Sequence, residues 1–353
     1  MSRICFMLFV GFVSTLGIAQ SFIRIPADNN LIEIHGAFNL KKSPDSVIIN
    51  RFSYGFLKNN TSTIKTLNAN TQSGVVVAFK SNSPTTKVHF LKRNDSENRE
   101  LIFAIYKNNS FWAYSKGSTT ITLQSDSKKL TDWKIVLPVF YGLHFAGIEI
   151  ENGSKLYATA KTKKPTYIAI GNSITHGVGL KGVASDKTYP YVLADSMGWE
   201  LYNLAVGGSK ITPSIADETK AIQANAISVL WGYNDWNTGK SIMGDVIPRY
   251  KELLVKLRSN QPKATIYCIM PTATKTLQPK TEGFTYPIDT LRNAQRRVVN
   301  KLIDNGDKSF VIVEGGELTT TEDLSDDVHL NNQGAKKLAQ GIFQKAKQPQ
   351  LYH

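Results

Sequence analysis

The sequence predicts an α/β protein: a doubly wound, flavodoxin-like parallel sheet of five strands, preceded by an all-β sandwich or jelly-roll domain. Three observations predict it. From about Ile23 to Asn152, short segments rich in Val, Ile, Phe, Tyr and Thr recur between clusters of Asn, Ser, Asp and Gly, the pattern of antiparallel sheets. Beyond residue 165 the period changes, and apolar segments alternate with stretches of helical periodicity, the pattern of a parallel sheet covered on both faces. A lysine-rich segment, Lys155 to Tyr167, separates the two regimes. The expected organisation is a leader over 1–19, a sandwich over 20–155 and an α/β domain over 165–353.

The sandwich elements follow in order. Strands are expected at Ser73–Ser81, Lys87–Arg93, Leu101–Asn108, Phe111–Gly117 and Thr120–Ser125, with a last long strand pair at Trp133–Tyr141 and Phe145–Gly153. In the second half the strands are Tyr167–Ile170, Glu200–Val206, Ile227–Gly232, Ala264–Met270 and Ser309–Gly315. The helices between and after them run over about Thr188–Met197, Pro213–Ala224, Ile242–Ser259, Ile288–Asn305 and Asn331–Lys347. One connection, Pro271 to Pro287, is long and polar; it leaves the fourth strand on the side where a site belongs, so it reads as a substrate-facing wall.

Composition sets the outer limits. The chain has 353 residues, of which 41% are hydrophobic and 20% charged, ordinary values for a globular protein of two domains. Residues Met1 to Ala19 read as a secretory signal: Arg3 gives a positive start, Ile4 to Ile18 are almost all apolar, and Gly17-Ile18-Ala19 is a small-x-small cleavage site. The apolar run is short for a membrane span of about 20 residues, so export with cleavage near Ala19 is expected and no integral membrane segment in the mature chain. Cleavage removes Cys5 and leaves Cys268 alone in an apolar run, which excludes a disulfide within the mature chain and argues against a cysteine nucleophile. The histidines are scattered and no Cys/His cluster has zinc-ligand spacing. The formal charge is +14. In an exported protein that charge fits acidic glycans or an anionic surface rather than nucleic acid, while basic residues such as Lys161, Lys163 and Lys164 also serve as a solvated linker.

Four polar clusters stand at strand ends or just before the last helix: Gly171-Asn172-Ser173-Ile174-Thr175, Asn203 to Ser209, Gly232-Tyr233-Asn234-Asp235, and Asp326-Asp327-Val328-His329. Each is unremarkable alone. In this order and spacing they resemble the four sequence blocks of the SGNH, or GDSL-type, hydrolases over nearly all of residues 165 to 348. The fold places ligands outside the carboxyl ends of the strands, where these clusters lie. One departure is visible: Asn172 stands where the family's first block usually has Asp. An amide keeps hydrogen bonding in the turn while removing a negative charge beside Ser173.

The chemistry is consistent with that resemblance. A serine hydroxyl needs an adjacent base at neutral pH. His329 is the best-placed histidine for Ser173, because Asp326 precedes it by three residues and a carboxylate there can hold the imidazole in one tautomer. The resemblance implies three oxyanion donors: the backbone N–H of Ser173, the backbone N–H of Gly208 and the side-chain amide of Asn234. Asp235 reads as a brace for its loop. His176 is a candidate pocket residue or an ordinary loop histidine. Trp231, Tyr233 and Trp236 flank Asn234; core packing is their default, and sugar stacking the alternative.

The exported two-domain layout resembles that of bacterial carbohydrate esterases. It implies a serine esterase that removes O-acetyl groups from a polysaccharide or oligosaccharide through an acyl-enzyme, with no cofactor. Two rival readings use the same chain: a lipase, lysophospholipase or thioesterase acting on longer acyl groups, and a carbohydrate-binding protein without activity.

Overall fold

The computed structural model describes residues 21–126, 128–159, 163–281 and 286–347. The expected leader and part of the lysine-rich linker, residues 160–162, lie outside them.

Two antiparallel sheets form the first half. One runs in the order β3(Asn39–Lys42), β4(Val47–Asn50), β11(Leu143–Glu151), β6(Thr85–Lys92), β9(Thr120–Gln124), with β1(Phe22–Ile25) also on β11. The other runs β12(Leu156–Tyr157), β5(Val76–Ser81), β10(Thr131–Val136), β7(Ile102–Lys107), β8(Ser110–Lys116), with β2(Ile32–His35) on β5. Strand periodicity explains the packing: alternate residues point inward, as in β9, where Ile121 and Leu123 are buried between exposed threonines and Gln124. Phe90, Ile148 and Phe145 from one sheet meet Phe79, Phe103, Trp133 and Ile135 from the other in a single apolar core.

The expected final strand pair divides between the two sheets. Trp133 pairs with Phe79 and Lys107 in one, and Phe145 with Phe90 and Val47 in the other. Pro138 lacks the N–H a ladder needs. The strand ends at Val136, and the chain crosses to the opposite sheet before β11 begins.

The second half is a five-stranded parallel sheet in the order β14(Glu200–Asn203), β13(Thr166–Gly171), β15(Ala226–Leu230), β16(Thr265–Ile269), β17(Phe310–Val313). This is the doubly wound order expected. The strands are mostly apolar, as strands covered on both faces tend to be; all of β13 and β15 is buried. Cys268 lies in β16, where burial pushes its thiol up to about 12. Helices Tyr189–Met197, Ile247–Asn260, Ile288–Asp304 and Asn332–Lys347 cover the sheet. Their starts follow from local chemistry: Thr188 caps the first through its hydroxyl, and Pro190 follows in the first turn. The helix expected over Pro213–Ala224 is shorter, an α-turn at Ile215–Glu218 continued by a 3₁₀ turn to Ala221. A further helix, Tyr233–Asn237, follows β15 directly.

The two halves share a core. Residues 51–72 leave the sandwich as an excursion with helices at Tyr54–Asn59 and Thr66–Ala69, an element the periodicity did not suggest. Phe52, Phe56, Ile64 and Ala69 pack in one cluster with Ile168, Ile170, Leu204 and Ile227 of the parallel-sheet domain. Glu218 binds both the N–H and the hydroxyl of Ser53, at 2.6 and 2.7 Å.

His176 belongs to this contact and not to a pocket wall. Its ring is fully buried and stacks 4.1 Å from Phe140. Its Nδ1 accepts the N–H of Gly207 at 2.9 Å, so Nε2 carries the proton and donates to the Thr71 hydroxyl at 2.9 Å. Thr71 in turn donates to the carbonyl of Asn68 at 2.8 Å. Burial, helped by the charges of Arg51 and Arg99, holds the ring well below the usual histidine range. The folded state therefore resists a proton that the unfolded chain accepts below about pH 6.5, so this stabilising contribution is present above that pH and is lost as pH falls beneath it. The stability gap between the wild type and His176→Gln should narrow from pH 7 to pH 5, measured by urea unfolding; a constant gap would show that the ring titrates alike in both states.

Candidate active site

The carboxyl ends of β13, β14 and β15 bring the first three polar clusters to one edge of the sheet, and the fourth arrives on the loop before helix Asn332–Lys347. At Gly171 a Cβ would lie 2.6 Å from the carbonyl of Leu230 and would clash with Thr175. Glycine alone lets the strand end so close to its neighbour. The chain then turns through Asn172 into a short helix, Ser173–His176, whose first residue is Ser173.

Ser173, His329 and Asp326 form one hydrogen-bonded chain. Ser173 Oγ lies 2.9 Å from His329 Nε2, and His329 Nδ1 lies 2.7 Å from Asp326 Oδ2. The other carboxylate oxygen, Oδ1, accepts the N–H groups of Val328 and His329, both at 2.8 Å. Partial burial pushes the Asp326 carboxyl up, but those N–H groups and the imidazole outweigh it and hold the group below its usual value. An anionic Asp326 accepts from Nδ1–H, which leaves Nε2 free to take a proton from the serine. Asp327 has a different part: its carbonyl accepts from the Lys275 N–H at 2.8 Å and the Thr274 hydroxyl at 2.9 Å, tying the histidine loop to the long connection after β16.

The three expected oxyanion donors sit as follows. Ser173 opens its helix, with no side chain capping the turn. Gly208 has φ +77°, a left-handed conformation that glycine adopts freely. Asn234 lies half-buried on helix Tyr233–Asn237 and donates one amide hydrogen to the Ser209 carbonyl at 2.8 Å, leaving the other hydrogen available. Asp235 braces the same loops: fully buried, it accepts from the N–H of Ile211 and pairs with Arg249 at 2.9 Å. Burial raises its carboxyl above the usual value against those partners.

Beside Ser173 lies a narrow recess lined by Asn172, Ile174, Trp231, Tyr233, Val328 and Pro271 to Thr274. The start of the long connection thus forms one wall, fixed by Arg292, which donates to the carbonyls of Pro271 and Thr272. Residues 282–285 of that connection lie outside the described residues. Trp231 and Tyr233 both border the recess. Trp236 does not: it is buried, and its indole donates to the Tyr286 carbonyl at 2.7 Å. Asn172 departs from expectation, since its side chain does not cap the helix and its buried Oδ1 has no partner among the described residues. One neighbour escaped the sequence reading entirely. Lys65, from the excursion of the first half, lies across Gly208, where a Cβ would meet its ammonium at 3.0 Å. No local pattern marks it.

The comparisons with known proteins agree with this geometry. Residues 169–337 match the model of the GDSL-like lipase/acylhydrolase family. Among curated proteins none matches the chain. Several solved structures share its fold over both halves. A salicylyl-acyltransferase from a tetracycline biosynthetic pathway superposes with TM-score 0.75 at 16% identity, covering 93% of this chain and 97% of that one. A protein described as a GDSL-like lipase, from Bacteroides ovatus, gives TM-score 0.73 at 17% identity, over 91% and 96%. A family two carbohydrate esterase from Clostridium thermocellum, in complex with cellohexaose, gives 0.67 at 17% identity, over 89% and 98%. With its four clusters gathered at one sheet edge and an antiparallel β domain in front, the chain carries over residues 169–337 a match to the GDSL-like lipase/acylhydrolase family and shares the two-part fold of these structures.

Proposed function

We propose that the protein is an exported serine esterase that removes short acyl groups, chiefly acetyl, from a polysaccharide. The observation that carries this reading is the unbroken chain from Ser173 Oγ through His329 to Asp326. Ser173 attacks the ester carbonyl while its proton passes to His329 Nε2. The oxyanion that forms is held by the N–H groups of Ser173 and Gly208 and the amide of Asn234. His329 then returns the proton to the departing sugar oxygen, and a water activated by the same imidazole releases the acid.

The short acyl group is favoured by the narrow recess, which Pro271 to Thr274 wall on one side. The polysaccharide is suggested by the esterase that shares both halves and was solved with cellohexaose, and export by the apolar segment from Ile4 to Ile18. No helix among the described residues is long and apolar enough to cross a membrane. The excess of basic residues, with Lys65 beside the Gly208 loop and in no ion pair among the described residues, favours an anionic polymer.

Acetate release from a panel of acetylated glycans tests the reading. At least one glycan should be turned over by the wild type, and Ser173→Ala should lose on the order of 10⁴–10⁶-fold in kcat; equal rates would end the esterase assignment. Asp326→Asn should keep the fold, checked by thermal melting, and lower kcat by about 10³–10⁴-fold with little change in KM, because the imidazole loses its orienting carboxylate. Turnover of an acidic polysaccharide should fall steeply from about 0.05 to about 0.5 M salt, over which the Debye length shrinks from roughly 14 Å to roughly 4 Å, while p-nitrophenyl acetate hydrolysis stays level. Parallel salt curves would remove the charge argument.

A further inference from the structure

The N–H of Gly208 shares a peptide plane with the carbonyl of Gly207. A trans peptide is planar, so its N–H and C=O point in opposite directions, and whatever fixes one aims the other. The Gly207 carbonyl is fixed by a residue of the other half: Asn68 Nδ2 donates to it at 2.7 Å, and Asn68 is buried. The preceding N–H, that of Gly207, is taken by His176 Nδ1 at 2.9 Å. No protein acceptor among the described residues takes the N–H of Gly208. It is a donor held in place and left free.

Asn68 is itself locked. Its carbonyl accepts from the Thr71 hydroxyl and from Arg51, at 2.8 and 3.2 Å. Arg51 is buried and reaches across the contact, donating to the carbonyls of Asn203 and Ala205 at 2.6 and 2.8 Å and to that of Thr71 at 2.6 Å. The loop that carries Gly208 is thus gripped from the first half on both sides of the glycine pair. A hydrogen bond to the carbonyl also polarises the peptide, which strengthens its N–H as a donor.

We propose that Asn68 is a positioning residue for the oxyanion donor Gly208, so that the β-rich half completes the esterase site instead of serving as a separable binding module. This rests on the reading of Gly208 as an oxyanion donor. Asn68 touches no reacting atom and acts through one peptide plane. Its effect therefore falls on the tetrahedral species and spares the bound ester, whose carbonyl is less charged.

The test uses the full chain with p-nitrophenyl acetate as substrate and phenylboronic acid as a reversible mimic of the tetrahedral adduct on Ser173. Asn68→Ala should lower kcat about tenfold with KM within about twofold, a loss smaller than the roughly 10²–10³-fold expected for deleting an oxyanion donor. Boronate affinity should fall in step with kcat/KM, and inhibition by free acetate should hold. Asn68→Asp, which sets an oxygen against the Gly207 carbonyl, should be worse than the alanine variant. Thr71→Val, which keeps the volume and unlocks Asn68, should move kcat and boronate affinity in the same direction. If folded Asn68→Ala matches the wild type in kcat and boronate binding, or if both change only as the folded fraction changes, the proposal is overturned. A wild type inactive on every ester would instead sink the esterase reading, so the two failures are distinguishable.

Discussion

The structure depends on a buried guanidinium that pairs with no carboxylate among the described residues. Arg51 spends its N–H groups on main-chain carbonyls of Asn68, Ala69, Thr71, Asn203 and Ala205, from both halves of the chain. Burial draws it down to about 9, yet only the charged form supplies five donors in one fork. Those carbonyls stand at the end of helix Thr66–Ala69, at the last residue of β14 and in the turns that follow each. Without the fork the carbonyls of Thr71, Asn203 and Ala205 would each be a buried acceptor short of a bond, at about 1–3 kcal/mol apiece. The geometry of the second cluster is therefore a property of the contact between halves.

What the sequence disclosed and what it hid divide along the same line. The parallel sheet was legible because its strands are apolar runs between helical periods, and the four polar clusters fall where such strands must end. The pairing of Ser173 with His329, far apart in the chain, was legible through Asp326 three residues before the histidine, a spacing that closes a local loop of hydrogen bonds. The sandwich strands were legible by alternation. Which sheet each strand joins was not, because inward alternation looks the same in both; Pro138, which sends the chain across, was the one available sign.

Residues 51–72 were hidden for a different reason. Two short helices with few apolar residues have too little periodicity to register, and they are held by partners a hundred or more residues away. His176 illustrates the same limit. Three residues beyond a serine it invites a role in binding, yet what decides its place is Thr71, on a segment with no sequence mark, and Phe140 of the sandwich. Asn172 is the opposite case: the substitution is plain in the sequence, but only the fold shows its oxygen left without a partner at the recess.

The shared core has a consequence for how the chain comes into being. Phe52, Phe56 and Ile64 are made early, while the Ile168, Leu204 and Ile227 that cover them are made more than a hundred residues later. During synthesis the sandwich half presents these aromatic and aliphatic groups to water with nothing to cover them. Such exposed surface is where nascent chains stick to one another. A polypeptide ending after the sandwich would carry that adhesive patch permanently, so the natural unit of folding is the pair.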